Sequence, residues 1–165
     1  TGIFYRCFNE KALARKPSYR DVSVCQEWHN FQEFAEWCQW QVGFENEDWQ
    51  LDKDLIGKKS KLYGPENCCF VPREINMALV LQERSRGQLP IGVTAAGNKG
   101  SKYRAQWCDG TGQKYSPVLS DPMQCFYIYK ENKENYMKSL AKKWSGQIDE
   151  RAEYSLQTYV VSLDD

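Results

Sequence analysis

The stretch from Trp49 to Leu79, WQLDKDLIGKKSKLYGPENCCFVPREINMAL, constrains the fold of this chain more than any other. A short apolar run ends in Asp52-Lys53-Asp54, a loop rich in Lys and Gly follows, and a second apolar run led by Asn67 reaches Pro72. Short runs bounded by turn residues predict strands at Trp49 to Asp52 and Cys68 to Val71. Proline suits the first turn of a helix, so a helix is predicted from Pro72 to about Glu83, carrying Asn76. A flanking helix is expected from Cys25 to Trp40, where Trp28, Phe31, Phe34, Ala35 and Cys38 fall at helical spacing.

With 165 residues, 41% of them apolar and 14% aromatic, the chain is able to bury a core, and one or two small domains are the natural count. No run approaches the roughly 18 apolar residues of a membrane span. The segment Thr1 to Arg20 is too polar for a signal peptide, so a cytoplasmic protein with no membrane partner is expected. The chain does not open on Met, which suggests either a processed chain or an excised piece, and IFYRCFNE reads as the middle of something, as if residues preceded Thr1.

Seven cysteines, an odd number without a secretory signal, predict reduced thiols rather than a disulfide scaffold. Cys7, Cys25 and Cys68 stand in the words RCF, VCQEW and PENCCF and are expected to be buried. Zinc is not expected, because there is no C-x-x-C pair and Cys68 and Cys69 are adjacent; Cys25 and His29 with Cys38 or Cys68 make the best available set.

Formal charge is zero, 22 basic against 22 acidic residues, but the distribution matters more than the sum. From Glu27 to Asp54 the acids are Glu27, Glu33, Glu36, Glu45, Glu47, Asp48, Asp52 and Asp54, opposed only by Lys53. That region should repel phosphate. Between Glu83 and Asp109 the chain has Arg84, Arg86, Lys99, Lys102 and Arg104 and no acid, which makes this the better surface for a nucleic acid. A solvated charged face is the plain alternative.

The chain divides near Gly87-Gln88-Leu89-Pro90. Beyond it, Ile91 to Val93, Tyr103 to Trp107 and Tyr115 to Val118 read as three short strands between Gly-rich turns. Along the middle strand, Lys102, Arg104 and Gln106 share one face and Tyr103, Ala105 and Trp107 the other. A long helix is predicted after Asp121 as cap and Pro122 as first residue, with Met137, Leu140, Ala141 and Trp144 on its apolar face and Gly146 at its end. A last helix is expected from Asp149 to about Tyr159, with Ala152, Leu156 and Tyr159 inward.

Two resemblances follow from these words. Asp52, Lys53, Asn67 and Asn76, within "LD.D…Y.PENC.FVP..IN", resemble the strand-strand-helix finger of phage-type HNH homing endonucleases. In that family an Asp ligand precedes the catalytic His, an Asn follows about a dozen residues on, and a second Asn comes nine later. The resemblance therefore implies Asp52 and Asn76 as ligands of Mg2+ or Mn2+, Asn67 as the orienting residue and Lys53 in the place of the catalytic base. In water a lysine amine titrates near ~10.4, so a neutral amine at pH 7 costs about 4 to 5 kcal/mol. The finger is degenerate at the residue that takes the proton.

The segment from Leu89 to Trp144, with PIGV, KYRAQW and FYIYKENKE, is similar to the APETALA2-type DNA-binding domain of plants and of phage HNH proteins. That likeness implies a sheet lying on the major groove of double-stranded DNA. Carried over by position, Lys99, Lys102, Arg104 and Gln106 face DNA, and Arg84 and Arg86 stand just before them. Arginine to guanine and glutamine to adenine are the pairings that geometry favours.

The expected fold is α+β: a degenerate HNH finger (about residues 49–83) with a flanking helix in a domain of residues 1–86, then a three-stranded antiparallel sheet packed on a long helix in residues 87–165. The expected function is binding of double-stranded DNA with weak or no cleavage, in a regulatory role. The alternatives are an active metal-dependent endonuclease or nickase, and a protein-interaction module that inhibits a host or rival factor through the acidic face.

Overall fold

The computed structural model describes residues 2–58, 60–79, 88–97 and 101–163. The chain is mixed α+β and divides into two compact units, residues 1–76 with 146–155 and residues 77–145 with 156–165.

In the first unit, α1 (Ile3–Phe8) and α2 (Glu10–Arg15) are separated by Asn9. Its extended backbone ends the first helix, and its side chain caps the second by accepting from the amides of Lys11 (3.1 Å) and Ala12 (3.2 Å). Ile3 and Cys7, one turn apart, join Val22, Val24, Tyr63 and Cys68 around Trp28, which is 1% exposed. Phe34 and Trp37 hold the Trp28 ring, with centroids 4.9 and 4.6 Å away.

Trp28 lies in a 3-10 turn (Glu27–His29), so the expected continuous helix from Cys25 is broken. Asn30 takes an extended backbone and its side chain accepts from the Gln32 amide at 3.0 Å, which starts α3 (Phe31–Gln39) afresh. The restart leaves Phe31 71% exposed, although helical spacing placed it on the inward stripe.

Ser23–Val24 forms β1. After α3 come β2 (Trp49–Asp52), the single turn α4 (Asp54–Gly57), β3 (Leu62–Tyr63), β4 (Cys69–Pro72) and α5 (Arg73–Leu79). β1 pairs in parallel with β3, and β2 pairs antiparallel with β4, Asp52 standing opposite Cys69 and Trp49 opposite Pro72. Val71 and Ile75, one on each side of the strand-to-helix step, are fully buried. The expected strand, strand and helix are therefore present within a residue of their predicted starts; the part of the helix expected beyond Leu79 lies outside the described residues.

In the second unit, β5 (Val93–Ala95), β6 (Tyr103–Cys108) and β7 (Gln113–Tyr115) form an antiparallel sheet in that order. The first strand starts later than expected because Gly92 sits at φ +72 inside a turn closed by the Val93 amide on the Pro90 carbonyl (3.1 Å). A Cβ at Gly92 would fall 2.1 Å from the Tyr129 ring, so no other residue fits there. The third strand stops at Tyr115, earlier than expected. Ser116 leaves the regular ladder, its hydroxyl accepting from the Ala105 amide at 2.8 Å and donating to the Pro117 carbonyl at 2.7 Å, and Pro117 has no amide to donate.

One side of the sheet packs on α6 (Pro122–Lys143) through Val93, Ala105, Cys125, Phe126 and Tyr129, with Tyr103 and Trp107 half-buried beside them. Trp107 thus faces the helix. Asp121 caps α6 as expected, accepting from the Met123 amide at 2.8 Å. Gly146, at φ +70, follows its end. α7 (Glu150–Gln157) buries Ala152 and Leu156 completely.

Candidate nucleic-acid interface and the finger

Asp52 ends β2 and is 6% exposed. Its Oδ2 accepts from the amides of Asp54 (2.9 Å) and Leu55 (2.7 Å), so the carboxylate satisfies the first two amides of α4. Burial pushes its pKa up to about 6, with the Asp54 charge adding to the rise and the two amide bonds opposing it. Lys53, 8% exposed, donates to the Asp54 carboxylate and to the Ser60 carbonyl (3.0 Å), and its amine lies 5.8 Å from the centroid of the Tyr63 ring. Lys53 is thus a buried side chain whose amine is spent on one carboxylate and one carbonyl.

Asn67 donates from its side chain to the Leu62 carbonyl at 3.2 Å, and its own amide closes a turn on Gly64 at 3.1 Å. It pins the loop between β3 and β4. Asn76 donates to the Gln50 side chain. Gln50 and Asp52 alternate onto the same side of β2. No hydrogen bond joins Asn76 to Asp52.

These donors do not fit a divalent ion as they stand: Asp52 Oδ2 is committed to two amides, Asn76 to Gln50, and the Lys53 ammonium sits at the same strand end. Among the described residues no three His, Cys, Asp or Glu side chains converge as metal ligands. All seven thiols are free; Cys7 and Cys68 are buried, Cys25 half-buried, and the His29 ring lies against those of Phe4 (5.2 Å) and Phe8 (6.0 Å).

The side of the sheet away from α6 has a different character. Arg104 and Gln106 alternate onto it from β6, with Thr94 opposite Arg104 and Tyr115 opposite Gln106, and Lys102 stands just before the strand. Lys102 is exposed and the other two are half-buried. The Arg104 guanidinium lies 4.3 Å from the centroid of the Tyr115 ring, and its Nε is enclosed without a hydrogen-bond partner. Arg84, Arg86 and Lys99 lie outside the described residues.

Three contributors escaped the sequence reading. In the sequence Tyr115 signals only a strand. Arg151 donates to the carbonyls of Pro65 (3.2 Å) and Cys68 (3.4 Å) while paired with Asp149 at 2.7 Å, which ties α7 to the approach of β4. Lys133 lies on the apolar face of α6, 7% exposed, and donates to the Ala78 carbonyl; desolvation lowers its pKa. Long polar side chains that bond backbone carbonyls far away in sequence leave no periodic mark.

Compared with family models, with curated proteins and with solved structures, the chain matches none. No described helix is long and apolar enough to cross a membrane.

Proposed function

We propose that this chain is a phage-type, double-stranded DNA-binding protein with a degenerate HNH finger and an APETALA2-like sheet, cleaving DNA weakly or not at all and acting in regulation. The observation that carries this is the outer face of the three-stranded sheet. A guanidinium, a carboxamide and an aromatic ring stand there side by side on short strands backed by a 22-residue helix, with the Lys102 cation just before β6. Such a face offers phosphate contact from Lys102 and base-edge donors from Arg104 and Gln106. Absence of cleavage is supported by Lys53, whose amine is spent on Asp54 and Ser60 and so is not free to take a proton from water.

Mobility-shift assays on random duplex pools, with and without magnesium, test the proposal. Salt-sensitive binding without metal-dependent nicking is expected. Failure to bind any duplex would end it and favour a protein-interaction role for the acidic stretch. Robust nicking abolished by Asp52→Ala would instead make the chain an active endonuclease, with the metal site formed only on substrate.

A further inference from the structure

The geometry points to Tyr115 as a positioning residue that holds Arg104 for end-on recognition of one guanine; this rests on the DNA-binding proposal above. Three observations combine. The Arg104 guanidinium lies 4.3 Å from the centroid of the Tyr115 ring, close enough for the ring to fix the plane of the cation. Arg104 Nε is enclosed and has no hydrogen-bond partner. The third is placement: Tyr115 ends the edge strand β7, and Gln106, its neighbour across the ladder, lies two residues along β6 from Arg104.

An enclosed Nε cannot join a side-on fork, so the two Nη groups remain as the pair that reaches a ligand. Guanine presents O6 and N7 as two adjacent acceptors in the major groove, which an end-on Arg matches with two hydrogen bonds. A long side chain free in solution loses rotamer freedom when it binds. A ring already lying against it takes part of that loss in advance. Tyr115 therefore sharpens selectivity without itself touching a base.

The test compares Tyr115→Phe, which keeps the ring, with Tyr115→Leu, which removes it; the residue is 48% exposed, and both variants lack the hydroxyl. Probes are a duplex selected from a randomised pool by the wild-type chain and an unrelated duplex of equal length. Expected is a Tyr115→Leu variant whose preference for the selected duplex falls about three- to tenfold, with unchanged affinity for the unrelated one, while Tyr115→Phe matches wild type. In NMR spectra, the ring-current shift of the Arg104 side chain should persist in Tyr115→Phe and vanish in Tyr115→Leu. An unchanged preference in Tyr115→Leu overturns the inference and leaves DNA binding standing. Equal loss on both duplexes also overturns it, since Tyr115 would then contact the backbone directly. A wild-type chain that binds neither duplex removes both.

Discussion

Asp52 carries opposed influences on one carboxylate. Two backbone amides favour its charge, yet burial and the neighbouring Asp54 disfavour it more, and the balance leaves it titrating at about 6. The folded state therefore keeps this proton up to about pH 6, whereas an unfolded Asp releases it near ~3.9. Between those values the folded state binds more protons, so this group's contribution to stability falls as pH rises through the window and stays low above it. Asp52→Asn keeps an oxygen for the two amides and removes the charge. Its urea-unfolding midpoint should rise at pH 7, by on the order of 2 to 3 kcal/mol in stability, and should converge on wild type below about pH 4. A destabilised variant at pH 7, or an equal shift at both pH values, would show that burial does not govern this carboxylate. The motif spacing pointed to Asp52 and Lys53, but their partners were not legible. Whether a carboxylate meets an ion or the amides of the next turn depends on one turn of helix, α4, which has too few residues to show a period.

Elements with a local signal were read well. The strand starting at Trp49, the Asp121-Pro122 start of the long helix and the alternation of KYRAQW all depend on neighbours in sequence, and the structure has each of them. The parallel pair β1–β3 was not anticipated, because two-residue strands joined across the chain carry no periodicity. Neither were α1 and α2, where a single Asn ends one helix and caps the next. Two element-scale predictions follow from the sheet. Gly92→Ala forces a Cβ against the Tyr129 ring at a left-handed position and should destabilise the second unit by about 2 to 4 kcal/mol, read from chemical denaturation; a loss under about 0.5 kcal/mol would mean that the turn relaxes freely. On DNA, Arg104→Ala should cost about 1 to 3 kcal/mol on a selected duplex and little on random sequence, whereas Lys102→Ala should weaken all duplexes alike and flatten the salt dependence by about one unit of slope. Uniform loss from Arg104→Ala would make it a phosphate contact, and no loss would take the sheet out of the interface.

At the scale of the whole molecule the decisive fact is a net charge of zero that is unevenly spread. The basic candidates for phosphate contact are few: Lys102 just before β6, with Arg84, Arg86 and Lys99 in the adjoining sequence. Four phosphates neutralised on a duplex imply a slope of log affinity against log salt no steeper than about −4. Against this attraction stand Glu45, Glu47 and Asp48, all exposed and consecutive but for Asn46. Their field reaches about 10 Å at 0.1 M salt and only about 3 Å at 1 M. Neutralising the three together, as Glu45→Gln, Glu47→Gln and Asp48→Asn, leaves the sheet untouched and removes three negative charges from the first unit. Fluorescence-anisotropy titrations should then show random-duplex affinity raised about three- to tenfold at low salt, with the gain fading as salt approaches 1 M. Unchanged affinity in the neutralised variant at low salt would place the acidic stretch beyond screening reach of the bound duplex and take it out of the account of DNA binding.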